Sequence, residues 1–226
     1  MSEILEAFIK AIELIIALDP DVIEISKRSI IISILSTFFA SLICIPIGGM
    51  IHFHEFKGKK QLIGFIQTLF SLPTVVVGLF VFLMLSRAGP FGIFGLLFTP
   101  GGMVIGQVVL ISPIIIGFTI SSLSGVSSEI KDTAISLGAT NFQAIYIIVK
   151  EAKFAIISTV VLGFGRALSE IGLAMMVGGN IRGFTRVLTT AIALETAKGD
   201  VVLAIALGII LMLLSFSINL IVNQMQ

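Results

Sequence analysis

Long apolar stretches alternate with short polar ones along the chain, and the stretches are free of formal charge. No Asp, Glu, Lys or Arg occurs in residues 29–54, 61–86, 88–128 or 201–226. Each interval is long enough for a membrane span of about 20 residues. The pattern predicts spans at about residues 29–51, 62–85, 103–123, 154–177 and 201–222. The fourth differs from the rest because it contains Arg166 and Glu170. Ahead of the first span, Ile4, Leu5, Phe8, Ile9, Ile12, Ile15 and Ile16 recur at helical spacing, with Glu3, Glu6, Lys10 and Glu13 near one face. That segment reads as an amphipathic helix lying on the membrane, stopped by Asp19 and Pro20.

Composition supports the same reading. Hydrophobic residues make up 57% of the chain and charged residues 12%, with a mean hydropathy of +1.15. A soluble domain of this size cannot cover so much apolar surface. The expected fold is an all-α integral membrane protein of one domain, residues 1–226, comprising five core spans and an N-terminal amphipathic segment at 1–25. The long polar connection at 124–153 interrupts the spans, and nothing resembles a linker or a second domain.

The chemistry excluded is as informative as the pattern. There is no Gly-x-x-x-x-Gly-Lys-Ser/Thr loop to cradle ATP phosphates, so any ATP and Mg chemistry belongs to another subunit. Cys44 is the sole cysteine and lies within an apolar span, while His52 and His54 have no matching ligand cluster, so no metal site and no bound cofactor is expected. A catalytic Ser/His/Asp or Cys/His set is also missing, and no basic patch interleaved with aromatics points to nucleic acid. The N-terminus lacks the charge, apolar core and cleavage pattern of a removable signal peptide.

Loop charges set an orientation. Lys57, Lys59 and Lys60 lie in one connection and Lys131, Lys150 and Lys153 in another, whereas residues 87–102 carry only Arg87. The two lysine-bearing connections therefore face the cytoplasm, with the N-terminus outside and the C-terminus inside. Against this stand Lys27, Arg28, Arg182, Arg186 and Lys198, which fall on the outer side.

The longer cytoplasmic connection has helical periodicity over 129–137, with Ile130, Ala134 and Leu137 on one face. Gly138 follows as a turn, and a second helical stretch carries Phe142, Ile145 and Tyr146. Two short helices about a glycine form a projecting knob, suited to docking in a groove of another protein. Asp132-Thr-Ala134, then Gly138, then Ile148, resembles the cytoplasmic signature of permeases of binding-protein-dependent ABC importers. That family pattern begins Glu-Ala-Ala, has glycine four residues later and ends Ile-x-Leu-Pro. Here Lys150 and Glu151 stand in place of the final Leu-Pro. The resemblance implies a type I importer permease whose coupling helix enters an ATPase cleft, with Glu129, Asp132, Ala134, Leu137, Gly138, Phe142 and Ile148 as the coupling residues.

A second stretch, Arg166-Ala-Leu-Ser169-Glu170-Ile-Gly172 leading to Gly179-Asn180-Ile181, is similar to the fourth core span of oxyanion permeases. Its Met-Met-Val-Gly-Gly-Asn-Ile run is most like the tungstate permeases, with molybdate and sulfate permeases next. Arg166 and Glu170, four apart, share a helix face and can pair. Arg166, Ser169, Glu170 and Asn180 are therefore candidates either for holding the bundle or subunit interface together or for lining the path. Ser71, Pro73, Thr74 and Gly78, together with Ser112 beside Pro113, are candidates for the path or gate, because proline frees backbone groups inside a span. The alternative for each is a packing kink.

The resemblance further implies a homodimer with its path between subunits, a cytoplasmic ABC ATPase dimer, and an extracytoplasmic oxyanion-binding protein, all in a prokaryotic cytoplasmic membrane. A stand-alone secondary transporter would show internal repeats and several intramembrane carboxylates, and this chain offers only Glu170.

Overall fold

The computed structural model describes residues 2–225. Met1 and Gln226, the limits of the expected domain, lie outside the described residues, as do the side chains of 2–4 and 221–225. Among the described residues the regular structure is helical throughout: α1 (Ser2–Ile16), α2 (Pro20–Phe53), α3 (Lys59–Thr68), α4 (Thr74–Leu85), α5 (Pro100–Ser124), α6 (Ser128–Ser136), α7 (Asn141–Glu151), α8 (Lys153–Leu168), α9 (Leu188–Lys198) and α10 (Val201–Met225). All five predicted spans are occupied by helix, but only three of them by a single continuous helix. α2, α5 and α10 are each long and apolar enough to cross a membrane.

The other two are broken. α3 and a short 3-10 turn (Leu69–Ser71) meet α4 at a bend of 99°, so the expected single helix at 62–85 is two half-helices around Leu72 and Pro73. α8 stops at Leu168, and the chain resumes through a π-helical turn (Ala174–Gly178). Pro46 and Pro113, by contrast, sit inside unbroken α2 and α5. Of the prolines within spans, Pro73 alone coincides with a break, because Ser71 and Leu72 ahead of it have already left the helix.

α2 begins at Pro20, nine residues before the expected start of the first span. Asp19 caps it by accepting hydrogen bonds from the Asp21 and Val22 N–H groups at 3.0 and 3.1 Å, and Pro20 at the first turn has no N–H to leave unpaired. α1 packs against α10. At about 1.5 Å per residue its 15 residues reach only about 22 Å, short of a bilayer core.

α2 and α5 form the centre of the bundle and run parallel. Gly48 lies against Thr119 and Ile116, and Ser36 Oγ bonds Gln107 Oε1 at 2.8 Å. A Cβ on Gly48 would stand 2.9 Å from the Thr119 Cβ, so glycine is what lets these helices touch. Ala40, Cys44, Ile111, Ile115 and Ala167 pack between α2, α5 and α8, and Cys44 is accordingly a core residue, buried and unpaired.

The cations that opposed the loop-charge rule gather at the end of the bundle away from α6 and α7. Arg28 pairs with Glu24 and donates to the Arg186 carbonyl at 3.1 Å. Arg182 pairs with Asp21. Glu195, only 6% exposed, receives Lys198 at 2.9 Å and Arg186 at 3.6 Å. Arg28, Arg182, Arg186 and Lys198 are thus each paired with a carboxylate.

Candidate functional site

The knob is built as its sequence suggested. Ser127 Oγ accepts from the Glu129 N–H at 3.3 Å to open α6, and Thr140 with Gln143 forms a capping box that opens α7. Between them Gly138 adopts φ +87°. The Gly138 N–H bonds the Ile135 carbonyl and the Ala139 N–H bonds the Ala134 carbonyl, closing α6 in a left-handed turn.

The expected coupling residues divide into two groups. Ala134 and Ile148 are buried; Ile148 belongs to a cluster with Leu123 and Ala152 that fastens the knob to α5 and α8. Glu129, Asp132, Leu137, Gly138 and Phe142 face outward. Leu137 does not share the buried face of Ala134, as periodicity implied: it closes the helix as C-cap and is 84% exposed. Phe142 at 79% and Tyr146 at 63% extend the same apolar outcrop. Lys150 and Glu151, where the signature has Leu-Pro, complete α7, and one residue, Ala152, separates it from α8. Nearby, Lys59 bridges the Glu55 carboxylate at 2.7 Å and the His52 carbonyl at 2.8 Å. That hydrogen bond, reinforced by the ammonium charge, holds the Glu55 carboxyl below its usual range.

At the middle of the bundle the two broken spans abut. A Cβ on Gly172 would fall 3.0 Å from Thr74 Oγ1 and 3.3 Å from the Val75 nitrogen, so the second break is seated on the first turn of α4. Glu170, 2% exposed, occupies the break after α8. One carboxylate oxygen accepts from Arg166 Nη1 at 3.0 Å, and the other accepts from the Leu173 N–H at 2.9 Å. Thr189 Oγ1 donates to the Glu170 carbonyl at 2.7 Å, and Gln107 Nε2 donates to the Ala167 carbonyl at 3.1 Å. Backbone groups released by the break thus find side-chain partners, as they must at membrane depth.

Of the sequence candidates, Ser71, Pro73, Thr74 and Gly78 lie at the first break and Arg166, Ser169 and Glu170 at the second. Ser112 and Asn180 do not join them. Ser112 Oγ turns back onto the Val108 carbonyl at 2.6 Å within α5. Asn180, at φ +52°, donates to the Thr190 carbonyl at 3.4 Å beyond the π turn. Sequence reasoning passed over Gln107, Thr189 and Ser36, although Gln107 is an isolated amide inside an otherwise apolar span and was a visible signal. Among the described residues no cluster of three or more His, Cys, Asp or Glu could hold a metal.

Residues 44–226 match the family described as binding-protein-dependent transport system inner membrane component. The chain belongs to this family. Along its full length it is 41% identical to the tungstate uptake system permease protein TupB of Peptoclostridium acidaminophilum, covering 99% of that protein. It is 37% identical to the TupB of Campylobacter jejuni, over 99% of this chain and 93% of that one. The fold matches an inward-facing conformation of the MetNI methionine ABC transporter, with TM-score 0.72 at 14% identity over 91% of this chain and 94% of that chain. It also matches a bacterial ABC transporter involved in import of the acidic polysaccharide alginate, with TM-score 0.69 at 20% identity over 90% of this chain and 78% of that one. This chain is therefore a multi-pass permease subunit of an ABC importer, and an ABC importer permease works with an ATPase and a binding protein.

Proposed function

We propose that this permease conducts tungstate into the cell as a homodimer. The observation that carries the substrate is the end-to-end likeness to tungstate uptake permeases. The physical site agrees with it: among the described residues the one ion pair at the paired breaks is Arg166 with Glu170, so that region presents donors without a strong net charge that would trap a dianion. Conduction requires release as much as binding.

In this reading two copies face each other across the first break. Leu72, Val75, Val76, Leu79 and Phe80 are exposed around it, an apolar surface fit for a second copy or for lipid, and one knob per chain serves one ATPase of a pair. Two ATPase subunits closing on ATP and Mg press on Leu137, Phe142 and Tyr146. Ile148 and Ala152 pass that displacement to α5 and α8, and hence to the break at Glu170. An extracytoplasmic binding protein supplies the anion at the opposite end. The N-terminus lies outside and the C-terminus in the cytoplasm: α10 runs in the same direction as α2, toward the knob.

The test is uptake of tungstate by proteoliposomes holding the permease, its ATPase and its binding protein. ATP-dependent accumulation is expected, with binding-protein titrations ranking tungstate against molybdate and sulfate. Accumulation that proceeds without ATP would overturn the importer reading, and saturation of the binding protein by sulfate alone would reassign the cargo.

A further inference from the structure

Arg166 does more than neutralise Glu170. Its side chain remains 32% exposed while its partner's is 2% exposed, and the exposed part lines a cavity of about 440 Å³ between the 3-10 turn at Phe70, α5, α8 and α10. Among the described residues its one hydrogen bond is from Nη1 to Glu170, whereas a guanidinium carries five N–H groups. Ser169, Ser215 and Asn219 stand on the same walls. At about 30 Å³ per water the cavity has room for a small tetrahedral oxyanion and part of its hydration shell.

The cavity has a floor. Phe70 and Phe118 stack at 5.7 Å between ring centroids, 11° from parallel, and both line the Arg166 cavity. Phe118 also lines a second cavity of about 530 Å³, toward the knob, whose walls include Ser121, Ser122 and Ser127. Phe70 sits in the last turn before the 99° bend. Its ring lies so close to α5 that a Cβ on Gly117 would be 2.3 Å from Phe70 Cζ. The ring pair and the bend thus share one short turn of chain.

We infer that Arg166 is the intramembrane oxyanion contact of the transport path, and that the stacked Phe70–Phe118 pair is the apolar barrier between it and the serine-lined exit. Glu170 holds the guanidinium in place and offsets its charge, so the anion is met by spare N–H donors but not held by an unpaired cation. Two stacked rings exclude water and ions until the bend opens. This assignment rests on the importer reading above.

The decisive variant is Arg166→Gln combined with Glu170→Gln, which replaces the ion pair by a neutral pair that can still hydrogen-bond and leaves no lone buried charge. In the reconstituted complex this variant should assemble with its ATPase and melt near the wild-type temperature. Its tungstate uptake should fall about tenfold or more, the loss of a charge-assisted contact. Phe118→Ala should add an ATP-independent tungstate leak absent from the wild type. Normal uptake by the double variant would falsify the Arg166 assignment, and a tight Phe118→Ala vesicle would remove the barrier. If the double variant fails to assemble, Arg166→Lys decides: full uptake with a point charge in place of the fork overturns the contact, and reduced uptake with intact ATP hydrolysis supports it. A wild-type complex that takes up no oxyanion at all sinks the importer reading itself, which these variants presuppose.

Discussion

Gly78 and Leu173 meet backbone to backbone: a Cβ on Gly78 would stand 2.9 Å from the Leu173 Cα. This contact interlocks the two broken spans, because Gly78 belongs to α4 and Leu173 follows the break after α8. The neighbour is main chain, so it cannot swing aside as a side-chain tip could. Gly78→Ala is expected to force the half-helices apart at about 1–3 kcal/mol. The purified permease should then melt earlier and transport more slowly. Gly49→Ala is the control, since nothing lies within 4 Å of its added methyl group; equal losses in both variants would mean that the Gly78 contact is not special.

That contact also marks the limit of what could be read from the sequence. Four charge-free stretches were enough to find α2, the α3–α4 pair, α5 and α10, because a bilayer demands about 20 apolar residues each and the sequence can meet that demand only in long runs. The same rule was blind to the breaks. Leu72 and Pro73 leave their stretch free of charge, and what permits a break there and after Leu168 is a set of distant partners: Thr189 and Gln107 for carbonyls at the second break and Gly172 against Thr74. Periodicity likewise put Ala134 and Leu137 on one face, but only Ala134 is buried: the direction of Leu137 is set by the left-handed turn at Gly138 and not by the helix before it. The Arg166–Glu170 pair was legible from i,i+4 spacing alone; the cavity beside it depends on α10, whose approach no local pattern encodes.

The knob carries apolar side chains that stand largely exposed. Leu137, Phe142 and Tyr146 are 84%, 79% and 63% exposed, so truncating them removes little packing within the permease. Phe142→Ala should change permease stability by less than about 0.5 kcal/mol. Its affinity for the ATPase should fall by about 2 kcal/mol, the order of a buried aromatic anchor. Pull-down or calorimetric titration with the ATPase, beside a melting curve of the permease alone, separates the two. Loss of stability without loss of ATPase binding would place Phe142 inside the fold's own economy.

Gly138 offers a test of geometry as distinct from contact. Its φ of +87° is a conformation that L side chains seldom adopt, and nothing lies within 4 Å of where its Cβ would be. Substitution is therefore strained by backbone alone. Gly138→Ala should destabilise the α6–α7 turn by about 1 kcal/mol and lower binding-protein-stimulated ATP hydrolysis, while Gly138→Asn, which tolerates left-handed backbone, should lie closer to wild type. Identical behaviour of the two variants would point to lost space, which the open surroundings argue against.

The end of the bundle away from the knob pairs its charges in two ways, and they should respond differently to mutation. Arg182 and Asp21 are 70% and 44% exposed on their side chains, and water screens most of their attraction. Arg182→Ala should therefore shift stability by less than about 1 kcal/mol. Glu195 is 8% and Arg186 14% exposed, and the Arg186 Nε is buried without a hydrogen-bond partner among the described residues. Removing Glu195 leaves that guanidinium short of compensation in a poorly hydrated place, so Glu195→Ala should destabilise by about 3 kcal/mol. Glu195→Gln, which keeps an acceptor for Lys198 and Arg186, should fall between the two. Melting curves of the three detergent-purified variants at low and high salt give the order: the Arg182→Ala difference should shrink with salt, while the Glu195→Ala difference should persist, because buried charges are screened far less than exposed ones.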